Sequence, residues 1–375
     1  MKNQNILISG ASIAGPTLAY WLNRHGFHPT VVERAPAPRE GGQAIDVRGV
    51  ALTVTERMGL LSEVRGAHTR MRGMSFVDGE GNQLMSTTEE TLTGGAIDSD
   101  DVELMRDDLT RILHEATRHD VEYRFGDSIT SLTQDEEGVQ VTFARGQTRT
   151  FDLVIGADGL HSNVRALAFG EESRYIRHLG IYLAIFSTAN HLGLDHWQVF
   201  HQTPGKMAGV YSARRNTEAR AMLGFESPPL DFDRHDIRQQ KQLVADRFAD
   251  MGWETPRLLK AMWEASDFYF DSMSQIHMDR WWNGRTALLG DAGYCGSPMS
   301  GQGTSMAMVG AYVLAGELAA AAGEHRTAFA QYEQRMRGYV EHNQKLATEN
   351  RGQRPSTEVL QRAANAITLE TYPSC

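Results

Sequence analysis

The N-terminal segment shows the clearest pattern of apolar and polar positions in the chain. Residues 6–8 form a short continuous apolar run, as in a strand that is buried on both faces. Apolar residues then recur at helical spacing over residues 13–26, and Gly26 closes this helix. A second apolar pair leads to Glu33 at the end of another strand. The pattern predicts a strand–turn–helix–strand unit at the start of the chain.

Shorter patterns follow as far as about residue 173. Strands are predicted at residues 43–48, 74–77, 84–87, 121–125, 129–132, 139–143 and 151–155. Helices are predicted at residues 50–58 and 100–117, where Asp100 and Glu103 would form a capping pair. Residues 89–98 are polar and rich in turn-forming residues. We therefore interpret them as the end of a segment that leaves the first unit and returns to it.

The pattern changes between about residues 174 and 270. Antiparallel strands are predicted at residues 179–187, 198–201, 207–213 and 221–225, followed by a helix at 238–251. A buried strand at 285–290 then precedes a long helix of small residues at 303–322. Two further helices are predicted at 327–350 and 357–369, separated by residues 352–355.

Composition and charge exclude several classes of function. A chain of 375 residues predicts two domains, or one domain with a large insertion. The net charge of −10 argues against a nucleic-acid partner. The chain has no apolar run of about 18 residues, so we expect no membrane-spanning helix. The only cysteines are Cys295 and Cys375, which predicts neither a disulfide framework nor a cysteine-rich metal site and fits the cytoplasm.

The first turn of the N-terminal unit carries a glycine pattern with a chemical meaning. Gly10, Ser12 and Gly15 occupy the positions of a dinucleotide-binding loop, in which serine replaces the middle glycine. Such a loop holds a pyrophosphate on a helix N-terminus, and an acid at the end of the next strand, here Glu33, binds the ribose. An ordinary βαβ unit that binds nothing is the alternative.

Three further motifs occur in a fixed order along the chain. Arg106 begins the sequence Arg-Asp-Asp-Leu, Gly156 begins Gly-Ala-Asp-Gly, and Gly290 begins Gly-Asp-Ala, which Pro-Met-Ser-Gly-Gln-Gly follows at residues 298–303. Together with the N-terminal loop, these motifs resemble the group A FAD-dependent monooxygenases, the para-hydroxybenzoate-hydroxylase-like family. The resemblance covers about residues 1–70, 100–170 and 280–325, whereas residues 174–270 match the family in placement alone.

The resemblance implies an α/β fold. It would combine a Rossmann-like FAD-binding domain, an inserted and mostly antiparallel β-sheet substrate domain, and C-terminal helices. The expected FAD-binding parts are residues 1–73, 100–173 and 271–325. The expected substrate domain comprises an excursion at 74–99 and the main insertion at 174–270, and the C-terminal helices occupy 326–375.

The resemblance also implies the site residues. The expected cofactor-binding residues are Gly10, Ser12, Ile13, Ala14, Gly15, Glu33, Arg34, Arg106, Asp158, Gly159, Asp291, Pro298, Gly301 and Gly303. In this family the aspartate matching Asp158 is linked to both FAD and the nicotinamide cofactor, and Asp291 would accept hydrogen bonds from the ribitol. The start of the helix after Gly303 would stabilise the negative charge of reduced flavin.

The implied activity is NAD(P)H-consuming hydroxylation of an aromatic or polycyclic small molecule by O2 through a flavin C4a-hydroperoxide. FAD is the expected cofactor, and NADPH or NADH is a transient co-substrate. The chemistry requires neither a metal nor a covalent nucleophile. Arg48 is the catalytic candidate, because the family often carries a residue near the flavin or the nicotinamide at this place, and a surface arginine is the alternative. Gln198, Phe200, Tyr211 and Phe225 would line the substrate pocket if their alternation faces the flavin. His161 and His277 are expected to be polar surface residues or satisfied core residues.

The short C-terminus and the final helices are similar to the antibiotic-modifying branch of the family, which includes tetracycline-inactivating enzymes. A flavin-dependent reductase of the same fold and a non-catalytic flavin-binding protein are the alternatives. The tryptophan motif of the flavin-dependent halogenases is absent, because Trp281 and Trp282 do not match it. The sequence predicts a monomer or homodimer without a membrane partner.

Overall fold

The computed structural model of the chain describes residues 2–39, 41–92, 95–349 and 356–372. Its helices are α1 (Ala14–Arg24), α2 (Val50–Arg57), α3 (Leu61–Gly66), α4 (Arg106–Glu115), α5 (Asn163–Phe169), α6 (Ile237–Phe248), α7 (Thr255–Glu264), α8 (Asp291–Tyr294), α9 (Gly303–Ala320), α10 (His325–Lys345) and α11 (Thr357–Ala364). The strands are β1 (Asn5–Ser9), β2 (His28–Glu33), β3 (Ala44–Val47), β4 (Gly73–Val77), β5 (Gln83–Thr87), β6 (Glu90–Thr91), β7 (Gly95–Ala96), β8 (Val102–Met105), β9 (Glu122–Phe125), β10 (Ile129–Gln134), β11 (Val139–Phe143), β12 (Thr148–Phe151), β13 (Leu153–Gly156), β14 (Ile176–Thr188), β15 (Trp197–Thr203), β16 (Lys206–Ala213), β17 (Glu218–Glu226), β18 (Tyr269–Ile276), β19 (Trp282–Asn283) and β20 (Thr286–Leu288).

A six-stranded sheet forms the centre of the nucleotide-binding part. Its strand order is β19-β20-β13-β1-β2-β9, and β19 alone runs antiparallel to its neighbour. The apolar run Ile6 to Ile8 lies on β1 with no exposed surface, because strands on both sides and helices on both faces enclose it. The carboxyl ends of the parallel strands therefore meet at one edge of this sheet.

A seven-stranded sheet forms the inserted part. Its order is β18-β14-β17-β16-β15-β4-β5, and every neighbouring pair is antiparallel except β15 with β4. One side, which we call the outer face, packs with Tyr182, Phe186 and Phe225 against α6 and α7. The opposite side, the inner face, carries Met74, Leu183, Ile185, Phe200, Met207, Tyr211, Met222 and Gly224. The predicted α/β fold with an inserted, mostly antiparallel sheet and C-terminal helices is confirmed.

The long helix α9 crosses the nucleotide-binding part and is buried from Thr304 to Leu318. Gly290 lies between α1 and α9, since a Cβ atom built on it would be 3.4 Å from the Cβ atoms of both Ala14 and Ala307. Small residues let the two helices and the end of β20 converge at this point. The N-termini of α1 and α9 are thereby close to each other.

The predicted helix at residues 100–117 is wrong in its first third. Residues 102–105 form β8, which pairs antiparallel with β3, and α4 begins at Arg106. Glu103 is buried and accepts a hydrogen bond from the hydroxyl of Thr69, so it does not cap a helix with Asp100. The helical spacing of apolar residues indicates a helix correctly only from Leu109 onward. In β8 all four residues are buried, so the positions of its apolar residues do not reveal whether the segment is a helix or a strand.

The sequence patterns missed α7 and β18, which lie between the predicted helix at 238–251 and the strand at 285–290. The predicted separator at 352–355 lies outside the described residues. None of the helices within the described ranges combines the length and the apolar character needed to cross a membrane.

Candidate active site

The carboxyl ends of β1, β2, β13 and β20 form one continuous edge, which we call the cofactor edge. The backbone N–H of Gly10 donates to Val32 (2.8 Å), and that of Ala157 donates to Ser9 (2.8 Å), so the turns after these strands are joined side by side. Leu289 similarly donates to Gly156 (2.8 Å). All four predicted motifs end at or next to this edge, which is where open α/β sheets bind ligands.

Two glycines of the N-terminal loop are required by close contacts. A Cβ atom on Gly15 would overlap the carbonyl oxygen of Gly10 and lie 3.4 Å from Cγ2 of Ile8. Gly10 has a φ of 110°, and a Cβ atom there would overlap the carbonyl of Ala157. Ile13 and Ala14 follow at the start of α1, where the backbone N–H groups of the first turn have no intrahelical acceptor. The loop therefore presents backbone donors to the cofactor edge.

Glu33 ends β2 and braces this loop. Its Oε2 accepts the backbone N–H of Ala11 (2.9 Å), and its Oε1 accepts that of Ala35 (2.9 Å). The next residue, Arg34, is exposed. Glu33 is thus fixed beside the glycine loop in the position predicted for an acid that binds the adenosine ribose.

Arg106 lies at the centre of the site. Its Nη2 donates to the hydroxyl of Ser12 (2.7 Å), and its backbone N–H donates to the carbonyl of Gln43 (3.0 Å). Burial lowers the pKa of Arg106, and the negative charges of Asp291 and Glu33 partly oppose that effect. The guanidinium of Arg106 therefore contacts the N-terminal loop and feels the charges at the end of β2 and at the start of α8, although these segments are far apart in sequence.

Asp158 lies in the turn after β13. Its Oδ2 accepts the backbone N–H of Val164 (3.0 Å) and the hydroxyl of Ser9 (3.3 Å), and its Oδ1 accepts the hydroxyl of Ser162. Burial raises the pKa of Asp158 and outweighs these hydrogen bonds. The carboxylate holds the start of α5 against β1, whereas a Cβ atom on the neighbouring Gly159 would meet no atom within 4 Å. The contact of Asp158 with FAD and the nicotinamide stays a prediction.

Asp291 begins α8 directly after the positive φ of Gly290. Burial raises the pKa of Asp291 and outweighs the opposing hydrogen bond of Cys295 and the charge of Arg106. Its Oδ1 is 3.7 Å from a Cβ atom built on Gly303, the first residue of α9. The carboxylate therefore lies beside a helix N-terminus, where hydroxyl groups of a ligand could donate to it.

The turn before α9 leaves open space at its surface. Pro298 is exposed, and Gly301 has a φ of 62° with no atom within 4 Å of an added Cβ. Gln302 follows it and is fully buried, yet its amide nitrogen and oxygen have no hydrogen-bond partner within the described residues. A buried amide without a partner is costly, so this turn fits a ligand with polar ring atoms such as flavin. Gln302 was not among the predicted site residues, although it lies between Gly301 and Gly303 of the same motif.

Arg48 is buried in a cluster of carboxylates. Its Nη2 is 2.9 Å from Oδ2 of Asp46, and its Nη1 is 3.3 Å from Oδ2 of Asp101. Burial raises the pKa of Asp46 to about 7 despite the neighbouring guanidinium. The backbone N–H of Arg48 donates to the hydroxyl of Ser305 in the first turn of α9 (3.0 Å), which connects this cluster to the cofactor edge. The catalytic role of Arg48 stays a prediction.

The structure separates the four predicted pocket residues. Gln198, Phe200 and Tyr211 share the inner face, because Gln198 opposes Tyr211 and lies two residues from Phe200. Phe225 lies on the outer face, where its ring is 6.1 Å from that of Phe248 in α6. Phe225 therefore cannot line the same pocket, and its prediction is wrong. The alternation along β17 is regular, but the sequence did not show which face the helices cover.

An ion cluster directly after the Gly-Ala-Asp-Gly motif joins the turn after β13 to the seven-stranded sheet. Nε2 of His161 is 2.9 Å from Asp271 on β18, and Nδ1 is 3.0 Å from Glu172. Arg165 and Arg234 also bind Glu172, at 2.6 Å and 2.9 Å. Burial by itself lowers the pKa of His161, but the two carboxylates outweigh burial and raise it. A single histidine in a sequence is weak evidence for an ion cluster, and only the tertiary structure brings these five side chains together.

The comparisons with known proteins agree with this geometry. The sequence profile of a family described as "FAD binding domain" matches residues 3–347. A flavin-dependent monooxygenase of Legionella longbeachae is 43% identical over 345 residues, which cover 92% of this chain and 88% of that protein. The chain belongs to the group A FAD-dependent monooxygenases.

Two solved structures are similar to this protein over nearly the whole chain. The tetracycline destructase Tet(51) has a TM-score of 0.89 and 38% identity, covering 98% of this chain and 99% of that one. The tetracycline destructase Tet(55) has a TM-score of 0.87 and 39% identity, covering 99% of both chains. The inserted sheet, which carried no recognisable family residues in the sequence, is therefore included in the similarity.

Proposed function

We propose that this monooxygenase uses NAD(P)H and O2 to hydroxylate a polycyclic aromatic small molecule, with tetracyclines as the first class to test. The similarity to Tet(51) and Tet(55) supports the substrate class, because both names describe enzymes that act on tetracyclines and both structures cover the inserted sheet. A reductase or a flavin-binding protein of the same fold would share the cofactor edge but not this similarity.

The observation that carries the proposal is that the inner face lies directly on the segment that positions Arg106. The hydroxyl of Tyr211 accepts the backbone N–H of Ala44 (3.1 Å), and Nε of Arg220 donates to the carbonyl of Gly42 (2.9 Å). A Cβ atom on Gly42 would in turn lie 3.4 Å from Cβ of Arg106. A molecule held on the inner face would therefore lie next to the cofactor edge.

The residues of the site have separate tasks in this proposal. The loop from Gly10 to Gly15, together with Arg106, binds the phosphates of FAD, whose oxygens suit backbone donors and a guanidinium. Asp291 accepts hydrogen bonds from the ribitol, and the start of α9 with Gln302 faces the flavin ring. When bound, FAD supplies the redox chemistry, including reaction with O2 at its C4a carbon. The inner face holds the substrate and excludes water.

The nicotinamide cofactor needs a different kind of site. The sequence contains one dinucleotide-binding loop, and FAD would occupy it. NADPH or NADH would therefore bind transiently beside the flavin, and the buried Arg48 between Asp46 and Asp101 is the candidate contact. The pair of carboxylates fixes its guanidinium and leaves little freedom for the side chain.

The test is to measure NAD(P)H oxidation and O2 uptake by the FAD-loaded protein with and without each member of a tetracycline and polycyclic aromatic panel. We expect slow oxidation of NAD(P)H alone and a rise of at least several-fold with a true substrate, because a substrate held on the inner face lies next to the cofactor edge and its binding can favour one of two arrangements of the site by a few kcal/mol. Mass spectrometry should show the gain of one oxygen atom. Conversion without O2 uptake would favour the reductase, and a flavin that NAD(P)H never reduces would favour a binding protein.

A further inference from the structure

The edge strand β18 of the inserted sheet is attached to the nucleotide-binding part at three places. Just before the strand, Asp267 lies against the loop that leads to β3, since a Cβ atom on Gly41 would overlap its carboxylate. Within the strand, Oδ2 of Asp271 is 2.9 Å from Nε2 of His161. The last backbone N–H of the strand donates to the carbonyl of Cys295, directly after α8 (3.1 Å). The strand therefore lies along the cofactor edge.

Tyr269 lies between the first two of these attachments. Opposite residues of an antiparallel pair share a face, and Tyr269 opposes Ile185, which belongs to the inner face. Asp271 is two residues further along the strand, so it points to the same side. Asp267 reaches that side as well, because it accepts the hydroxyl of Ser187, which shares the inner face with Ile185. Since both aspartates contact the nucleotide-binding part, the tyrosine between them faces the cofactor edge.

No neighbour in the protein accounts for the side chain of Tyr269. It is half-buried, yet its ring belongs to none of the apolar clusters found among the described residues. Its hydroxyl has no hydrogen-bond partner in the described part of the chain. By contrast, the hydroxyl of Tyr211 on the same face accepts the backbone N–H of Ala44. Because a tyrosine removed from water normally finds a partner for its hydroxyl, the open hydroxyl of Tyr269 points to a ligand.

The charges around this hydroxyl are those of the expected FAD site. Burial raises the pKa of the Tyr269 hydroxyl, and the charge of Asp271 adds to that effect. Asp291 acts in the same direction, whereas the guanidinium of Arg106 opposes it. The hydroxyl is therefore protonated at neutral pH and can donate a hydrogen bond. Arg106 and Asp291 are the residues assigned above to the phosphates and the ribitol, whose oxygens accept such a bond.

We propose that Tyr269 is an FAD-binding residue supplied by the inserted sheet, and that its hydroxyl donates a hydrogen bond to a phosphate or ribitol oxygen of FAD. The cofactor is then held by both parts of the fold. Tyr269 lies in the region where the sequence shows no motif of the family. The inference rests on the assignment of FAD to the cofactor edge in the proposed function, and it is independent of the substrate class.

The test compares Tyr269→Phe with Tyr339→Phe. Tyr339 on α10 is the matched control, because its buried hydroxyl also lacks a hydrogen-bond partner among the described residues. Neither change removes a hydrogen bond within the protein, so we expect both apoproteins to keep the Tm of the parent within about 2 °C. Titration with FAD should give a Kd about three- to tenfold higher for Tyr269→Phe, as for one lost hydrogen bond, and an unchanged Kd for Tyr339→Phe.

Three results would overturn the assignment of Tyr269. The first is a Kd for FAD in Tyr269→Phe that equals the Kd of the parent. The second is an equal rise of this Kd in Tyr339→Phe, which would make the effect unspecific. The third is an apoprotein of Tyr269→Phe whose Tm falls by several degrees, which would mean that the hydroxyl serves the protein itself. If the parent apoprotein binds no FAD, the proposed function fails as a whole, whereas the first three results leave it intact.

Discussion

The cofactor edge is built mainly from the backbone of turns, whereas the inner face is built from side chains on several strands. Gly15 is required by its contact with Gly10 in the same short loop, and Gly10 is required by its φ of 110° and by the carbonyl of Ala157 from the next strand of the sheet, yet both glycines can be recognised from their spacing along the chain. The inner face combines Met74, Phe200 and Met222, which come from different strands and share no motif. Short loop motifs thus account for much of the cofactor edge, whereas tertiary structure alone forms the inner face.

The difference also concerns electrostatics. The cofactor edge holds partly buried charges, including Arg106 and Asp291, whose pKa values burial shifts in the direction of the neutral form. The apolar layer of the inner face is dominated by methionine, leucine and phenylalanine. The charges of the cofactor edge suit a charged cofactor, and the apolar layer of the inner face suits a flat aromatic substrate. This contrast leads to four predictions.

The largest effect is expected at the glycine loop. Gly15→Val should yield protein without FAD, because its side chain would overlap the carbonyl of Gly10 and push α1 away from β1. Absorption of purified protein near the flavin bands measures the FAD content. Gly338→Val is the matched control, since Gly338 is exposed, its φ lies outside the left-handed region and a Cβ atom on it meets nothing within 4 Å. Full FAD content in Gly15→Val would show that the loop is not needed for binding.

The second prediction tests the two faces of the inserted sheet. Phe225→Ala should lower the free energy of unfolding by about 3–5 kcal/mol, because Phe225 is buried against Phe248 and Tyr182 on the outer face. Urea unfolding followed by fluorescence measures this loss. The folded fraction should keep its FAD and its KM for substrate. A changed KM in correctly folded Phe225→Ala would show that this residue contributes to the substrate pocket despite its position on the outer face.

The third prediction tests a single charge at the cofactor edge. Asp291→Ala should weaken FAD binding by about 1.5–3 kcal/mol, or roughly ten- to a hundredfold, through the loss of charge-assisted hydrogen bonds. Titration of the apoprotein with FAD gives the Kd. Asp78→Ala is the control, since Asp78 only braces the turn between β4 and β5. Equal Kd values for the two variants would remove Asp291 from the site.

The smallest effect is expected where the two regions join. The folded pKa of His161 is raised, so its contribution to stability is complete below the unfolded value of 6.5 and is lost as pH rises through the folded value. His161→Gln should therefore cost about 1 kcal/mol at pH 6 and less at pH 9. Asp271, Glu172 and Arg234 contact His161, and Arg165 contacts Glu172.

The measurement for this last variant is the difference in Tm from the parent protein at the two pH values. His119→Gln, at an exposed position, corrects for general effects of pH. The pKa of Glu172 is lowered to about 2, because hydrogen bonds to His161 and Arg234 outweigh its burial, so Glu172 stays ionised throughout this window. A cost that is the same at pH 6 and pH 9 would mean that the charge of His161 does not join the two sheets.

The sequence by itself determined the strand–turn–helix–strand unit and its glycine loop, because these depend on local spacing and on a continuous apolar run, whereas the α/β fold with its inserted sheet followed from the resemblance to the family. It also indicated the family, since four motifs in a fixed order are specific. The sequence could not determine that residues 102–105 form a strand, because pairing with β3 decides their conformation. Nor could it place Phe225 on the outer face, since alternation gives two faces and only the packing of α6 and α7 shows which one is covered. The Arg106 contacts and the His161 cluster join residues that are distant in the chain, so tertiary structure alone brings them together.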